Sequence, residues 1–78
     1  MSVVFYTIGC QKCNVLKLKM EAAGIKFETI DDEDAVVKKA VELGYNDGAP
    51  FIIVDGTVMN FNSAMKWVYE YVKSQKGN

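Results

Sequence analysis

The chain has 78 residues, half of them hydrophobic and 12% aromatic, which suits a single domain over residues 1–78 with a core that needs no staples. Nine Lys against ten Asp plus Glu leave a net charge of −1, so electrostatics give no reason to expect nucleic acid or an anionic membrane as a partner. All nine positive charges are Lys, which excludes the planar fork that Arg offers to carboxylates and phosphates.

No apolar run approaches the roughly 20 residues of a membrane-spanning helix. The opening "MSVVFYTIGC" carries no basic leader and reads as a first strand, not a signal peptide. The expected compartment is cytoplasmic, where thiols are held reduced.

In chain order, Val3-Val4-Phe5-Tyr6 is a continuous apolar run, as in a strand covered on both faces. From Gln11 to Ala23, Cys13, Leu16, Met20 and Ala23 recur at helical spacing, and Gly24 ends the pattern. Ile25 to Ile30 alternates and predicts a second strand near a sheet edge. Asp31, Asp32, Glu33 and Asp34 then stand where a second helix begins. They read as an N-cap with favourable charge near the helix dipole, since no EF-hand ligand spacing follows. The inward stripe of that helix is expected to be Val36, Val37, Ala40 and Val41.

Phe51 to Val54 predicts a strand, Asp55-Gly56 a two-residue turn, and Thr57 to Met59 the return strand. A last helix is expected to be capped by Asn62 or Ser63. Its inward stripe would be Ala64, Met65, Val68 and Tyr71 or Val72, and the tail from Lys73 to Asn78 is expected to fray. The order is β-α-β-α-β-β-α. Its first unit should be a right-handed parallel crossover and its closing hairpin makes the sheet mixed, with helices on both faces.

The two cysteines, Cys10 and Cys13, sit in "CQKC" at the junction of the first strand and first helix. A structural zinc site wants four Cys or His ligands, and the chain has two Cys and no His. One chain therefore supplies half a site, and a metal or iron–sulfur cluster would need the Cys pairs of two chains. A purely structural bridge closing so short a loop contributes only roughly 2 kcal/mol before strain is subtracted.

A redox pair fits both spacing and placement. Cys10 falls near the helix start, where free N–H groups favour a thiolate, and Lys12 adds positive charge. A thiol of pKa about 8.5 is only about 3% ionised at pH 7, whereas one of about 6 is about 90% ionised. Cys13, one turn deeper on the apolar stripe, is expected to stay shielded. Cys10 then attacks and Cys13 resolves, which is the division of labour in thiol–disulfide exchange.

On the strand before "CQKC", the "GAPF" step before the hairpin and the closing helix, the chain resembles a small glutaredoxin-like protein of the thioredoxin superfamily. The likeness runs over nearly its whole length. It implies a thioredoxin-like (glutaredoxin-type) α/β fold with a four-stranded mixed sheet flanked by helices. It also implies a disulfide oxidoreductase of electron transport and cell redox homeostasis, with a redox-active Cys10–Cys13 disulfide and no other cofactor. By the same resemblance Pro50 would be cis, and the Ala49 backbone would pair with an extended substrate.

The chain departs from the family at three places. Thr7 stands where the family commonly carries Lys or Arg, three residues before the first Cys. Asn60 and Phe61 stand where glutaredoxins usually show Gly-Gly, and Asn62 or Ser63 takes the position after it. The Gln11-Lys12 centre of the Cys motif is closer to the small redoxins that serve ribonucleotide reductase. Together these predict weakened glutathione use. A Gly-Gly pair lets backbone N–H groups approach a carboxylate, and two side chains restrict that approach.

The expected substrate-contact set is thus Ala49, Pro50, Tyr6, Thr7, Asn60, Phe61, Asn62 and Ser63, with no metal. Expected partners are a disulfide-containing protein and an electron donor, either glutathione or a reductase of the thioredoxin-reductase type, with the chain acting as a monomer. Met20, Met59 and Met65 read as core fillers, and Trp67, Tyr69 and Tyr71 as packing residues. Two alternatives from other classes stay open. One is a dimeric metal or iron–sulfur binding module sharing Cys10 and Cys13 of two chains; the other is a redox-inactive adaptor.

Overall fold

The computed structural model describes residues 2–76, Lys76 by its backbone alone. Its elements are β1 (Val3–Tyr6), α1 (Gln11–Ala22), β2 (Glu28–Ile30), α2 (Glu33–Leu43), β3 (Phe51–Val54), β4 (Thr57–Met59) and α3 (Phe61–Lys76). The strands form one four-stranded sheet in the order β2-β1-β3-β4. β1 pairs in parallel with β2 and antiparallel with β3, which places Phe5 opposite Ile52 and Tyr6 opposite Phe51. The expected mixed sheet is present, with helices on both faces.

Strand alternation sorts the core into two halves. On one face, Val3, Phe5, Ile52 and Val54 meet Cys13, Leu16 and Met20 of α1 and Ala64 and Val68 of α3. Phe5 also takes the edge of Phe27, ring centroids 5.7 Å apart. On the other face, Tyr6 and Phe51 stack at 4.7 Å, Tyr45 tilts onto Phe51, and Val36 of α2 closes the cluster. Burying a side chain such as Phe5 or Leu16 stabilises the fold by about 2–3 kcal/mol each.

The turn between β3 and β4 is made by Asp55 at φ 49° and Gly56 at φ 88°. Positive φ at both central residues matches the right-handed twist of the flanking strands, as the Asp-Gly pair predicted.

Four expectations, on packing, capping and element limits, are corrected first. In α2, Val36 is buried, but Val37 is 55% and Val41 75% exposed. A single helix on that face reaches the sheet with one edge only, so half of the predicted stripe stays in water. Asp32 is the N-cap of α2 yet its side chain makes no cap hydrogen bond; Glu33 and Asp34 act through charge at the first turn.

The other two corrections concern element limits. β2 begins at Glu28, later than Ile25, because Ile25 still donates its N–H to the Met20 carbonyl of the preceding helix at 3.1 Å. α3 begins at Phe61, since Asn60 and not Asn62 or Ser63 caps it: Asn60 Oδ1 accepts the Ser63 N–H at 2.8 Å.

Further along α3, Lys73 to Lys76 continue the helix that was expected to fray, and Gly77 and Asn78 lie outside the described residues. Tyr69, taken for a packing residue, is 66% exposed, whereas Trp67 and Tyr71 lie together against the core. Met20 is fully buried, and Met59 and Met65 are partly buried against the same core. Among the described residues no helix is long and apolar enough to cross a membrane.

Candidate functional site

β1 ends at Tyr6, and the chain turns through Thr7, Ile8 and Gly9 before α1 begins at Gln11. The turn is held from within. The Thr7 N–H donates to the Ile30 carbonyl at 3.0 Å, and Thr7 Oγ1 accepts the Gly9 N–H at 3.0 Å. Cys10 then arrives as the N-cap of α1, in extended conformation.

Its sulfur does what an oxygen does in an ordinary cap. Cys10 Sγ accepts the Cys13 N–H at 3.2 Å, and the Cys10 carbonyl accepts the Asn14 N–H at 3.0 Å. A sulfur in that position faces the positive end of the helix and takes an amide donor that the helix ladder leaves free. Cys10 and Cys13 are joined by a disulfide. Cys10 is half-buried, while Cys13 is 1% exposed and sits in the core with Leu16.

Lys12 is exposed, and its ammonium lies over the Phe61 ring, 5.6 Å from the centroid. That distance is within reach of a cation–π contact. The contact ties the Cys motif of α1 to the first residue of α3.

A cleft of about 320 Å³ opens beside this contact. Its walls are Lys12, the loop Asp47-Gly48-Ala49-Pro50, and the helix start Asn60-Phe61-Asn62. The Ala49–Pro50 peptide is cis, the geometry that the resemblance implied. Six of the expected site residues therefore meet in one place: Lys12, Ala49, Pro50, Asn60, Phe61 and Asn62.

Five others do not line the cleft. Cys10 and Cys13 are not among its walls, although Lys12 between them is. Tyr6 is buried on the α2 face, stacked on Phe51. Thr7 is buried, and its hydroxyl is engaged within its own turn. Ser63 lends its backbone N–H to the Asn60 cap.

Asp47 and Gly48 belong to the cleft and were not expected there. Asp47 Oδ2 accepts a hydrogen bond from Asn60 Nδ2 at 3.1 Å, across 13 residues of sequence. Tyr45 contributes from the same loop: its hydroxyl donates to the Gly48 carbonyl at 3.1 Å. Burial first, and the Asp47 carboxylate second, raise the Tyr45 pKa above the ordinary tyrosine value. The only local signal for this loop is the turn-forming run Asn46-Asp47-Gly48 just before Ala49-Pro50.

Among the described residues, no three His, Cys, Asp or Glu side chains come together as a metal site would need, the acidic run at Asp31 to Asp34 included. Within one chain Cys10 and Cys13 are a pair of sulfurs and nothing more. No protein-family model matches the chain, and the curated proteins yield no match to it.

Proposed function

We propose that the protein is a thiol–disulfide oxidoreductase of thioredoxin-like, glutaredoxin-type fold that reduces protein disulfides or glutathione mixed disulfides through Cys10 and Cys13. The observation that carries this reading is the sulfur cap: Cys10 Sγ accepts the Cys13 N–H at the start of α1, with its disulfide partner buried one turn deeper. Support for the fold comes from the β-α-β-α-β-β-α order on a four-stranded mixed sheet. A reducing, cytoplasmic compartment suits a pair that must return to thiols between turnovers.

The chemistry runs as follows. In the reduced protein the Cys10 thiolate, favoured by the helix terminus, attacks one sulfur of a substrate disulfide. The substrate S–S bond breaks, one substrate sulfur leaves as a thiolate that takes a proton from water, and a mixed disulfide to Cys10 forms. Cys13 then loses its proton to solvent and attacks Cys10 Sγ, releasing the second substrate thiolate. The substrate has gained two electrons, and Cys10–Cys13 is again a disulfide. Two electrons from an external dithiol or a reductase restore it.

The burial contrast supports this order of attack, because Cys13 is 1% exposed and offers an incoming disulfide little access. Cys10→Ser should abolish disulfide reduction, and Cys13→Ser should leave attack intact and accumulate mixed disulfides, read by mass spectrometry under non-reducing conditions. Attack retained in Cys10→Ser and lost in Cys13→Ser would reverse the roles. Reduction of the oxidised protein by purified thioredoxin reductase, compared with glutathione, identifies the donor. Metal content and colour of freshly purified protein test the shared-metal alternative.

A further inference from the structure

The charges of the cleft are not placed for the ligand that the family resemblance would bring. A glutathionyl group would direct a carboxylate at the N–H groups opening α3. Here one of those groups, the Ser63 N–H, is already taken by Asn60 Oδ1 at 2.8 Å. The amide of the same Asn60 donates to Asp47 Oδ2 at 3.1 Å, which holds a full negative charge beside the helix start. An incoming carboxylate meets a carboxylate.

The other charge of the cleft, Lys12, sits on a flexible stem over the Phe61 ring. Among the described residues the ion pair within 4 Å is Lys39–Glu42, so neither Lys12 nor Asp47 is neutralised by the other. Asp47 is anchored by its bond to Asn60, and its second oxygen makes no hydrogen bond among the described residues. The anchored charge at the α3 end is therefore negative, and it is exposed to solvent. It lies in a cleft that also offers the Ala49 backbone and the Pro50 ring.

We propose that this cleft recognises a cationic group on the disulfide-bearing partner, with Asp47 as the specificity-determining residue. Substrates carrying Lys or Arg close to their disulfide are selected over those presenting a carboxylate there, glutathione mixed disulfides included. The assignment rests on the oxidoreductase reading and deepens it by naming the substrate class. Asp47 acts on binding and not on the reacting sulfurs: its charge attracts the cation as the disulfide approaches Cys10 and repels an anion.

The test uses the reduced full chain and three small disulfides of different charge: cystamine (cationic), hydroxyethyl disulfide (neutral) and oxidised glutathione (anionic at its carboxylates). Second-order rates are compared for wild type, Asp47→Asn and Lys12→Gln. Asp47→Asn keeps an acceptor for Asn60, so the loop and the helix cap stay joined. Two unit charges about 6 Å apart near water change a rate by about threefold, so Asp47→Asn should slow cystamine about threefold and speed oxidised glutathione about threefold. The cation-to-anion ratio then falls about tenfold, and the effect shrinks as salt is raised. Both rates are taken relative to that of the neutral disulfide, which controls for folding and for Cys10 reactivity. Lys12→Gln should move the ratio the opposite way.

An unchanged ratio in Asp47→Asn with an intact neutral rate overturns the proposal and leaves the oxidoreductase reading standing. No reaction of wild type with any of the three disulfides overturns that reading instead. The charge preference is then read on the oxidised protein by NMR titration with lysine amide and with glutamate amide. Lysine-selective shifts at Asp47 and Asn60 that vanish in Asp47→Asn sustain the cation site, and equal or absent shifts overturn it.

Discussion

On one face of the sheet α1 and α3 pack against each other as well as against the strands, and Leu16, Met20 and Ala64 are sealed from water. On the other face α2 works alone, covering Tyr6 and Phe51 through Val36 while Val37 and Val41 stay exposed. The difference places precision where the proposed chemistry would sit. α1 presents the Cys pair, and the doubly packed face holds Cys13 as one of its own core residues. A side chain carried on a well-buried helix keeps its orientation, whereas a thinly covered face tolerates movement. The cleft lies between these regimes: Lys12 and α3 belong to the tight side, and the loop from Asp47 to Pro50 leads out of the α2 side.

This asymmetry can be tested by substitution, beginning with its strongest consequence. Leu16→Ala removes a fully buried side chain from the doubly packed face, where the surroundings have little room to collapse. It should cost about 3 kcal/mol by denaturant unfolding. Val36→Ala removes two carbons under α2, against three in Leu16→Ala, and should cost about 1.5 kcal/mol, at roughly 0.8 kcal/mol for each carbon removed. Equal losses per carbon removed would mean that the faces are packed alike.

Tyr45 gives a smaller and pH-dependent effect. Its hydroxyl bond to Gly48 contributes about 0.5 kcal/mol, so Tyr45→Phe should destabilise by that much at pH 7. The folded-state pKa of Tyr45 is raised, so the folded chain holds this proton more tightly than the unfolded one. The corresponding stability is present below the ordinary tyrosine pKa of about 10 and is lost as pH rises through the higher folded value. Melting curves between pH 9 and pH 11.5 should fall less steeply for Tyr45→Phe than for wild type. Parallel curves would show that the phenol does not couple to folding.

The smallest effect belongs to the exposed half of α2. Val37→Ser and Val41→Ser together should change stability by no more than about 0.5 kcal/mol each, as surface positions do. A loss near that of Val36→Ala would mean that these valines are covered in solution.

Most of the architecture is legible from local patterns. Apolar run lengths and helical spacing locate the strands and helices, and Asp55-Gly56 specifies its own turn through the backbone angles those residues accept. The spacing of Cys10 and Cys13 likewise leads to a sulfur at a helix start, and the hydrogen bond from Cys13 N–H to Cys10 Sγ is the local geometry that spacing allows. What periodicity could not supply is how wide a stripe each helix buries. The pattern of α2 is the same whether it is covered by one neighbour or two, and only packing leaves Val41 in water.

The candidate site divides along the same line. Lys12 could be nominated from the chain alone, because it stands between the cysteines, whereas Ala49, Pro50, Asn60 and Phe61 enter through the family resemblance. Their assembly into one cleft, the cap at Asn60 and the arrival of Asp47 beside it depended on tertiary structure. Asp47 and Asn60 are separated by a complete hairpin, and no local preference relates them. Backbone angles and side-chain period act over a few residues and are written in the sequence; exposure and the pairing of distant charges are decided only when the sheet brings its loops together.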